Sequence, residues 1–299
     1  MSSFRPLIFG EALFDCFPDG SQVLGGAPFN VAWHLKGLGL NPYFLGRIGN
    51  DDEGQKIKES MSEWGMDMSL MQSDQDHPTG KVKVSLDGEG KDPLFSILPE
   101  QAYDFIEEPD LEEDISMLYY GTLALRNPVS LETLFTLKKK NSVPCFVDVN
   151  LRMPWWDILV TRAAIEGADW VKMNDEELSN LCGLMNISGD TLDDCAEIFR
   201  ERVGMELLII TVGEHGAFLV SADGITYGAP VDVPENEFVD AIGAGDAFSS
   251  IMISGLLQGW DLDETLNRAL VFAAEICKQK GAIVKDKSFY QGFSNQWNK

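Results

Sequence analysis

The sequence predicts an α/β protein whose central sheet is mainly parallel and is covered by helices on both faces. Short apolar runs alternate with helical patterns, and the runs lack the polar alternation of a sheet that faces water. The apolar runs lie at residues 7–9, 43–45, 117–120, 145–147, 170–173 and 207–210. The helical patterns lie at residues 52–64, 130–140, 191–203 and 261–280. A chain of 299 residues that is 44% hydrophobic is long enough to bury such a core as one domain, 1–299.

One segment departs from the alternation of strands and helices. Apolar and polar residues alternate over 81–86, a turn sequence follows at 87–90, and a second strand-like run covers 94–97. This period of two predicts a β-hairpin. Together with residues 14–24 it is expected to form a small β lid, bounded by about 11–24 and 79–98 and inserted in the core. Its apolar residues need cover, which favours a homodimer in which two lids cover each other.

Charge and composition exclude several classes of protein. A net charge of −25 disfavours nucleic acid and anionic membranes as partners, because their phosphates would be repelled over most of the surface. The five cysteines form no C-x-x-C pair and the three histidines are far apart, so structural zinc is not expected. No leader-like segment begins the sequence, and no run reaches the ~20 apolar residues that span a bilayer. The expected location is cytoplasmic.

The most informative segment precedes the last long helical patterns. It reads Asp240-Ala241-Ile242-Gly243-Ala244-Gly245-Asp246. Small residues before a helix allow close approach to a ligand, and the free N–H groups with the helix dipole attract an anion. Asp246 then has two interpretations. It is either a helix cap, or a carboxylate that accepts a hydroxyl proton while the neighbouring amides stabilise a transferring phosphoryl group.

Two polar clusters follow neighbouring strands, at the edge where open α/β sheets bind ligands. Asn174 and Glu177 lie one helical turn apart, so their side chains either face a hydrated Mg²⁺ or form a helix cap with an acidic first turn. Thr211, Gly213 and Gly216 follow the next strand. They either line a ligand site or simply turn the chain into a strand at 217–220.

A third group of candidates lies nearer the N-terminus and at 148–152. Gly25 and Gly26 precede a predicted amphipathic helix, and Asn30 lies just inside it, where it either binds sugar hydroxyls or decorates the helix start. Asp15 lies beside the lid and is either a partner for two adjacent hydroxyls or a turn residue. Arg152 is either a ligand-binding cation or a member of an ion pair.

In combination and order, these motifs resemble the ribokinase-like (PfkB-type) carbohydrate kinases over nearly the whole chain. Asp240-x-x-Gly243-Ala244-Gly245-Asp246 matches the family signature D-T-x-G-A-G-D, except that Ala241 replaces the usual threonine and so removes a hydroxyl from the Asp240 loop. The segments 10–15 and 148–152 look most like fructokinases and their ketosugar-acid kinase relatives. The resemblance implies a three-layer α/β/α core with the small β lid.

The resemblance also implies a role for each candidate residue. Asp246 would be the catalytic base, next to an anion hole at Gly243, Ala244 and Gly245. Asn174 and Glu177 would organise Mg²⁺ through water, and ATP would lie against Asn174, Thr211, Gly213, Gly216 and Gly245. The acceptor sugar would face Asp15, Gly25, Gly26, Asn30, Arg152 and Asp246. The positions of a monovalent cation, K⁺, are matched by Asp240 and the carbonyl of Ile242.

By the same resemblance the protein is an ATP-dependent sugar kinase, with fructose as the first expected acceptor. 2-Keto-3-deoxygluconate, another sugar or a nucleoside are alternatives. A P-loop kinase, a protein kinase and a Rossmann dehydrogenase are disfavoured because their glycine-rich and catalytic motifs do not occur. From another class, a non-catalytic sugar- or nucleotide-binding protein of the same fold remains an alternative.

Overall fold

A computed structural model describes residues 4–86, 93–111 and 114–297 of the chain. Its strands are β1 Leu7–Phe9, β2 Leu13–Cys16, β3 Gln22–Gly25, β4 Tyr43–Gly49, β5 Met71–Asp74, β6 Gly80–Leu86, β7 Pro93–Ile97, β8 Leu118–Gly121, β9 Cys145–Asp148, β10 Trp170–Asn174, β11 Leu207–Thr211, β12 Ala217–Ser221 and β13 Gly224–Gly228. Its helices are α1 Ala27–Gly37, α2 Asp52–Trp64, α3 Pro128–Lys140, α4 Ile158–Ile165, α5 Asp175–Leu184, α6 Leu192–Val203, α7 Ala244–Gln258, α8 Leu262–Ile276 and α9 Lys287–Trp297.

The main sheet has nine strands in the order β13-β12-β11-β10-β9-β8-β1-β4-β5. All neighbours from β5 to β11 pair in parallel, and only β12 and β13 at one edge are antiparallel. Side chains of β10 alternate between two hydrophobic clusters: Val171 packs with α3 to α6 on one face, while Trp170 packs with α1, α7 and α8 on the other. The predicted α/β fold with a buried, mainly parallel sheet is therefore confirmed.

Local signals in the sequence explain where several helices begin and end. Asp51 caps α2 by accepting a hydrogen bond from the N–H of Gly54, and Gly65 ends this helix in the left-handed conformation, with φ of 76°. Thr191 caps α6 in a reciprocal capping box with Asp194. These caps fall at the predicted boundaries because the residues that form them are unambiguous in sequence.

Helix α1 differs from its prediction. An amphipathic helix was expected, but every residue from 28 to 35 is buried, because α1 packs against the sheet and against α7. Two of the polar residues in this stretch, Asn30 and His34, are buried with hydrogen-bond partners. The helix therefore lies inside the molecule and carries Asn30 to an internal site.

The lid is a four-stranded sheet in the order β3-β2-β6-β7. β6 and β7 pair antiparallel, with Val82 opposite Ile97, as the period of two predicts. The predicted turn at 87–90 lies outside the described residues. β2 follows β1 after only three residues, so the lid grows directly from the carboxyl end of a central strand of the main sheet.

No helix within the described ranges is long and apolar enough to cross a membrane.

Candidate active site

A cavity of about 500 Å³ lies between the lid and the carboxyl ends of the main-sheet strands. The lid contributes apolar side chains to its wall: Leu13, Val82, Phe95 and Ile97. The polar side chains of the wall are Glu11, Asp15, Asn30, Asn150, Arg152, Lys172 and Asp246. The wall therefore combines an apolar cover with converging polar groups, which is the usual composition of a small-molecule site.

Asp246 lies in the first turn of α7 but does not cap this helix. The N-cap is Gly243, which has a φ of 79°, and no side chain caps the helix. The carboxylate of Asp246 instead accepts a hydrogen bond of 2.7 Å from Nδ2 of Asn30 on α1. Of the two interpretations open from the sequence, the contacts of Asp246 favour a carboxylate presented to the cavity.

The surroundings of Asp246 suit a general base. Burial raises the pKa of its carboxyl to about 6, while the hydrogen bond from Asn30 and the charges of Lys172 and Arg152 oppose this rise. The nearby carboxylate of Asp148 adds to the rise. At neutral pH the group is therefore mostly ionised, yet closer in pKa to the ambient pH than an ordinary aspartate.

The backbone before α7 approaches its neighbours closely. A Cβ atom on Gly243 would lie 2.5 Å from the Cα of Ala282, so only glycine fits there. The N–H of Gly245 has no hydrogen-bond partner within the described part of the chain, whereas that of Ala244 donates to the carbonyl of Ala241 at 3.2 Å. The free amide of Gly245 is the better donor for an anion in this conformation.

Lys172 on β10 supplies a buried positive charge next to this helix end. Its Nζ lies 3.1 and 2.9 Å from the two carboxylate oxygens of Asp148, and Ser249 donates to the same carboxylate at 2.8 Å. Burial lowers the pKa of Lys172, but the carboxylates of Asp148, Glu177 and Asp246 together raise it above its usual value, so the ammonium group remains charged. A Cβ atom on Gly245 would lie only 3.2 Å from this Nζ, so Lys172 reaches the first turn of α7.

The residues predicted to face the sugar largely converge on the cavity: Asp15, Gly26, Asn30 and Arg152 line it. Gly25 lies between two of them, because a Cβ atom there would be 3.8 Å from Oδ2 of Asp15 and 4.0 Å from Oδ1 of Asn30. Burial raises the pKa of Asp15 to about 6, and the charge of Arg152 opposes this rise. Hydroxyl-binding groups are thus gathered beside Asp246.

The second predicted cluster lies next to the cavity rather than in its wall. Asn174 and Thr211 are direct partners in the register of β10 and β11. Asn174 caps α5 in a capping box with Glu177, whose carboxylate accepts the N–H groups of Asn174 and Leu151 at 2.9 and 2.7 Å. Beyond Thr211 the chain turns through Gly213 and Gly216, both with positive φ. The capping interpretation of Asn174 and Glu177 is thus realised in the structure, at the same sheet edge as the cavity.

The residues predicted to hold cations have hydrogen bonds of their own. Asp240 accepts hydrogen bonds from the N–H groups of Ile242 at 2.9 Å and Gly281 at 3.3 Å, so its loop is held without the hydroxyl that Ala241 lacks. Within the described ranges, no group of three His, Cys, Asp or Glu side chains is arranged to hold a metal ion. Because both Glu177 oxygens already accept backbone N–H groups, the residues present fit a divalent ion reached through water.

Two charged residues of the cavity wall, Lys172 and Glu11, were not assigned a role from the sequence. The sequence does mark Lys172 as unusual, because a charged residue in a strand that is buried on both faces requires a partner of opposite charge and often has a function. Glu11 directly follows the turn after β1, and it is only 3% exposed. Its position at a central strand end is the one clue that the sequence offers.

The sequence and the fold match a known class of enzymes. The family model of pfkB family carbohydrate kinases matches residues 17–288. The chain is 29% identical over 294 residues to a fructokinase from Escherichia coli, with 92% of each chain covered. The chain therefore belongs to the pfkB family of carbohydrate kinases, which are phosphotransferases with an alcohol group as acceptor.

Solved structures of related proteins share the fold. An uncharacterized sugar kinase from Pyrococcus horikoshii in complex with ATP superposes with a TM-score of 0.77 at 27% identity, covering 93% of both chains. A double mutant of fructokinase from Vibrio cholerae O395, in fructose, ADP and potassium ion bound form, gives a TM-score of 0.79 at 26% identity, covering 98% of both chains. The predicted ribokinase-like architecture is confirmed.

Proposed function

We propose that the protein is an ATP-dependent fructokinase that converts fructose to fructose 6-phosphate. The observation that carries this proposal is the position of Asp246, which faces a cavity lined by hydroxyl-binding groups and lies in the first turn of α7, beside the ammonium group of Lys172. Relatives named fructokinase support the choice of acceptor.

In the proposed reaction Asp246 accepts the proton of the acceptor hydroxyl as its oxygen attacks the γ-phosphorus of ATP. The new bond joins this oxygen to phosphorus, and the bond between phosphorus and the leaving ADP oxygen breaks. The N–H of Gly245 and the charge of Lys172 are placed to stabilise the negative charge on the transferring group. The proton then leaves Asp246 for solvent.

A neutral acceptor suits the charges of the cavity. Three carboxylates line it, Glu11, Asp15 and Asp246, while the cations of the described wall are Arg152 and Lys172, and Lys172 also contacts Asp148. The carboxylates of the wall therefore outnumber its cations. A polyhydroxylated neutral sugar meets this wall at a lower desolvation cost than a sugar acid or a sugar phosphate.

Phe95 of the lid is 51% exposed, which supports the further proposal that two lids cover each other in a homodimer.

The nucleotide and ions are assigned to the neighbouring strand ends as part of the same proposal. ATP lies against Asn174, Thr211, Gly213 and Gly216, with its γ-phosphate toward Gly245. Asn174 and Glu177 hold Mg²⁺ through water, and Asp240 with the carbonyl of Ile242 holds K⁺. When bound, the divalent ion offsets the negative charge of the phosphates. The ATP and potassium named for the two structural relatives support these assignments.

The test is a phosphorylation screen with ATP over ketohexoses, aldoses, 2-keto-3-deoxygluconate and nucleosides. We expect the highest kcat/KM with fructose, and a phosphate on its 6-hydroxyl by NMR. A tenfold preference for another acceptor would overturn the fructokinase proposal while leaving the kinase intact. Binding of sugars and ATP without any transfer would instead identify a non-catalytic binding protein.

We expect activity to fall on the acid side of pH 6. The pKa of both Asp246 and Asp15 is raised to about 6, and each acts in its ionised form, so kcat/KM for the sugar decreases as the pH falls through this value. Each carboxylate that must be ionised adds roughly a tenfold loss per pH unit. The profile is measured from pH 4.5 to 8.5. Asp15→Asn should reduce the acid-limb slope by one proton, and a profile that stays flat down to pH 5 would refute both assignments.

Removal of divalent metal with a chelator should abolish turnover, and millimolar-scale Mg²⁺ should restore it. Glu177→Gln should raise the Mg²⁺ concentration needed for half-maximal activity more than it raises the sugar KM, because an amide cannot accept both backbone N–H groups and the water shell shifts. Asp194→Asn is the matched control, since Asp194 completes the equivalent capping box on α6 away from the cavity. Equal changes in both variants would contradict the metal assignment.

A further inference from the structure

Two buried acceptor atoms in the cavity wall lack hydrogen-bond partners. Oε2 of Glu11 and Oδ1 of Asn30 are shielded from water, and neither has a partner within the described part of the chain. Both residues line the cavity. Because buried polar atoms are nearly always paired, two unpaired acceptors in one wall indicate that a ligand supplies the donors.

Glu11 is buried in the cavity wall with one oxygen unpaired. It is 3% exposed, and its Oε2 has no hydrogen-bond partner within the described part of the chain. Burial raises the pKa of Glu11 to about 7, and the nearby backbone N–H groups of Glu11 and Ala27 offset only part of this rise. Oε2 is therefore available to a ligand in the cavity.

The charges around Glu11 give it no structural partner. Arg152 favours its ionised form and Asp246 opposes it, but within the described ranges no cation lies within ion-pair distance of its carboxylate. The charge of Glu11 helps to raise the pKa of Arg126, but Arg126 is paired with Asp104 instead, with 2.7 Å between Nε and Oδ1. A buried carboxylate without a cation lowers the stability of the fold. Residues that destabilise a fold in this way are often ones that bind a ligand.

We propose that Glu11 is an acceptor-sugar residue whose Oε2 receives a hydrogen bond from one sugar hydroxyl, while Oδ1 of Asn30 receives one from another. This inference rests on the proposed function, which places the acceptor sugar in the cavity. In the ionised form of Glu11 both atoms only accept, so the ligand must present hydroxyl donors on the side that faces them. A carboxylate or phosphate group of a ligand would be repelled there.

The experiment measures sugar binding by calorimetry and sugar kcat/KM for Glu11→Gln. We expect both to weaken roughly tenfold to a hundredfold, because a hydrogen bond to a charged acceptor is lost, while the ATP KM and the sugar-independent ATP affinity stay unchanged. The Tm of Glu11→Gln should be equal to or above that of the native protein, since the variant removes a buried charge. Glu107→Gln, in an exposed glutamate paired with Arg47, is the control and should change neither property.

Sugar analogues identify the contact without relying on a variant. In the native protein, a deoxyfluoro sugar at the position bound by Glu11 should bind as weakly as the deoxy sugar, since fluorine accepts but does not donate. The deoxy and deoxyfluoro sugars should bind Glu11→Gln about as well as the parent sugar binds this variant. Suppose that the native protein binds and phosphorylates sugars, that every analogue binds as tightly as its parent sugar, and that Glu11→Gln binds sugar as tightly as the native protein. The inference is then wrong and the proposed function stands. If no sugar is bound at all, both fail; if sugars are bound but not phosphorylated, only the proposed function fails.

Discussion

Asp246→Asn is expected to lower kcat by roughly 100- to 10,000-fold, the range for removing a general base. The amide cannot take the hydroxyl proton, but its oxygen can still accept the hydrogen bond from Asn30, so the cavity keeps its shape. The variant should therefore bind ATP and sugar nearly as well as the native protein. Turnover is measured with a coupled assay for ADP, and binding by calorimetry.

The control for this variant is Asp263→Asn. Asp263 lies in the first turn of α8, so the substitution makes the same change of charge at another helix start. It should leave kcat unchanged and alter Tm only slightly. Near-normal turnover in Asp246→Asn would show that another group takes the proton.

Lys172→Met is expected to lower kcat by roughly 100- to 1,000-fold, with a smaller effect on the sugar KM. Its ammonium group lies beside Gly245, where charge would develop in the proposed phosphoryl transfer, and loss of one such electrostatic partner has effects of this size. The substitution also leaves Asp148 buried without its cation. Removing one member of a buried pair destabilises a fold by about 3 to 5 kcal/mol, so the single variant should also unfold at lower temperature.

The double variant Lys172→Met with Asp148→Asn separates the two effects. Without the buried carboxylate charge, much of the lost stability should return, while kcat stays low because the positive charge near α7 is still missing. Thermal unfolding and turnover are measured on the same samples. Recovery of kcat together with stability would show that the Lys172 and Asp148 pair has only a structural role.

The strands and caps were predictable because their signals are local. Apolar runs, capping residues such as Thr191 and the period of two in the lid depend on neighbouring residues alone. Helix α1 was predicted as amphipathic because Ala32, Leu35 and Leu38 recur at helical spacing, a pattern that assigns polar residues such as His34 to an exposed face. His34 is instead buried, 3.0 Å from both the Tyr290 hydroxyl and the Ala282 carbonyl. Those partners lie more than two hundred residues away, beyond the range of any local pattern.

The site was predictable where glycines and strand ends mark it, as at Gly243 and Asp246. No functional role was predicted for Lys172 and Glu11, because their importance depends on the groups that surround their side chains. Lys172 reaches Asp148 across neighbouring strands, and the significance of Glu11 rests on an oxygen without a partner. The spacing of residues in the sequence predicts neither property. For Asn174 and Glu177 the spacing was informative, but it described a cap and a water-mediated ion site equally well.

The contact between Asn30 and Asp246 joins residues 216 positions apart, which bears on how the protein is made. A ribosome adding about 5 to 20 residues per second needs roughly 10 to 40 seconds to travel between them. During that interval the apolar surface of α1 has emerged, but α7, which covers it, has not been synthesised. Until α7 is made, the apolar surface of α1 lacks this cover, and Asn30 and Asp246 can form their hydrogen bond only after that point.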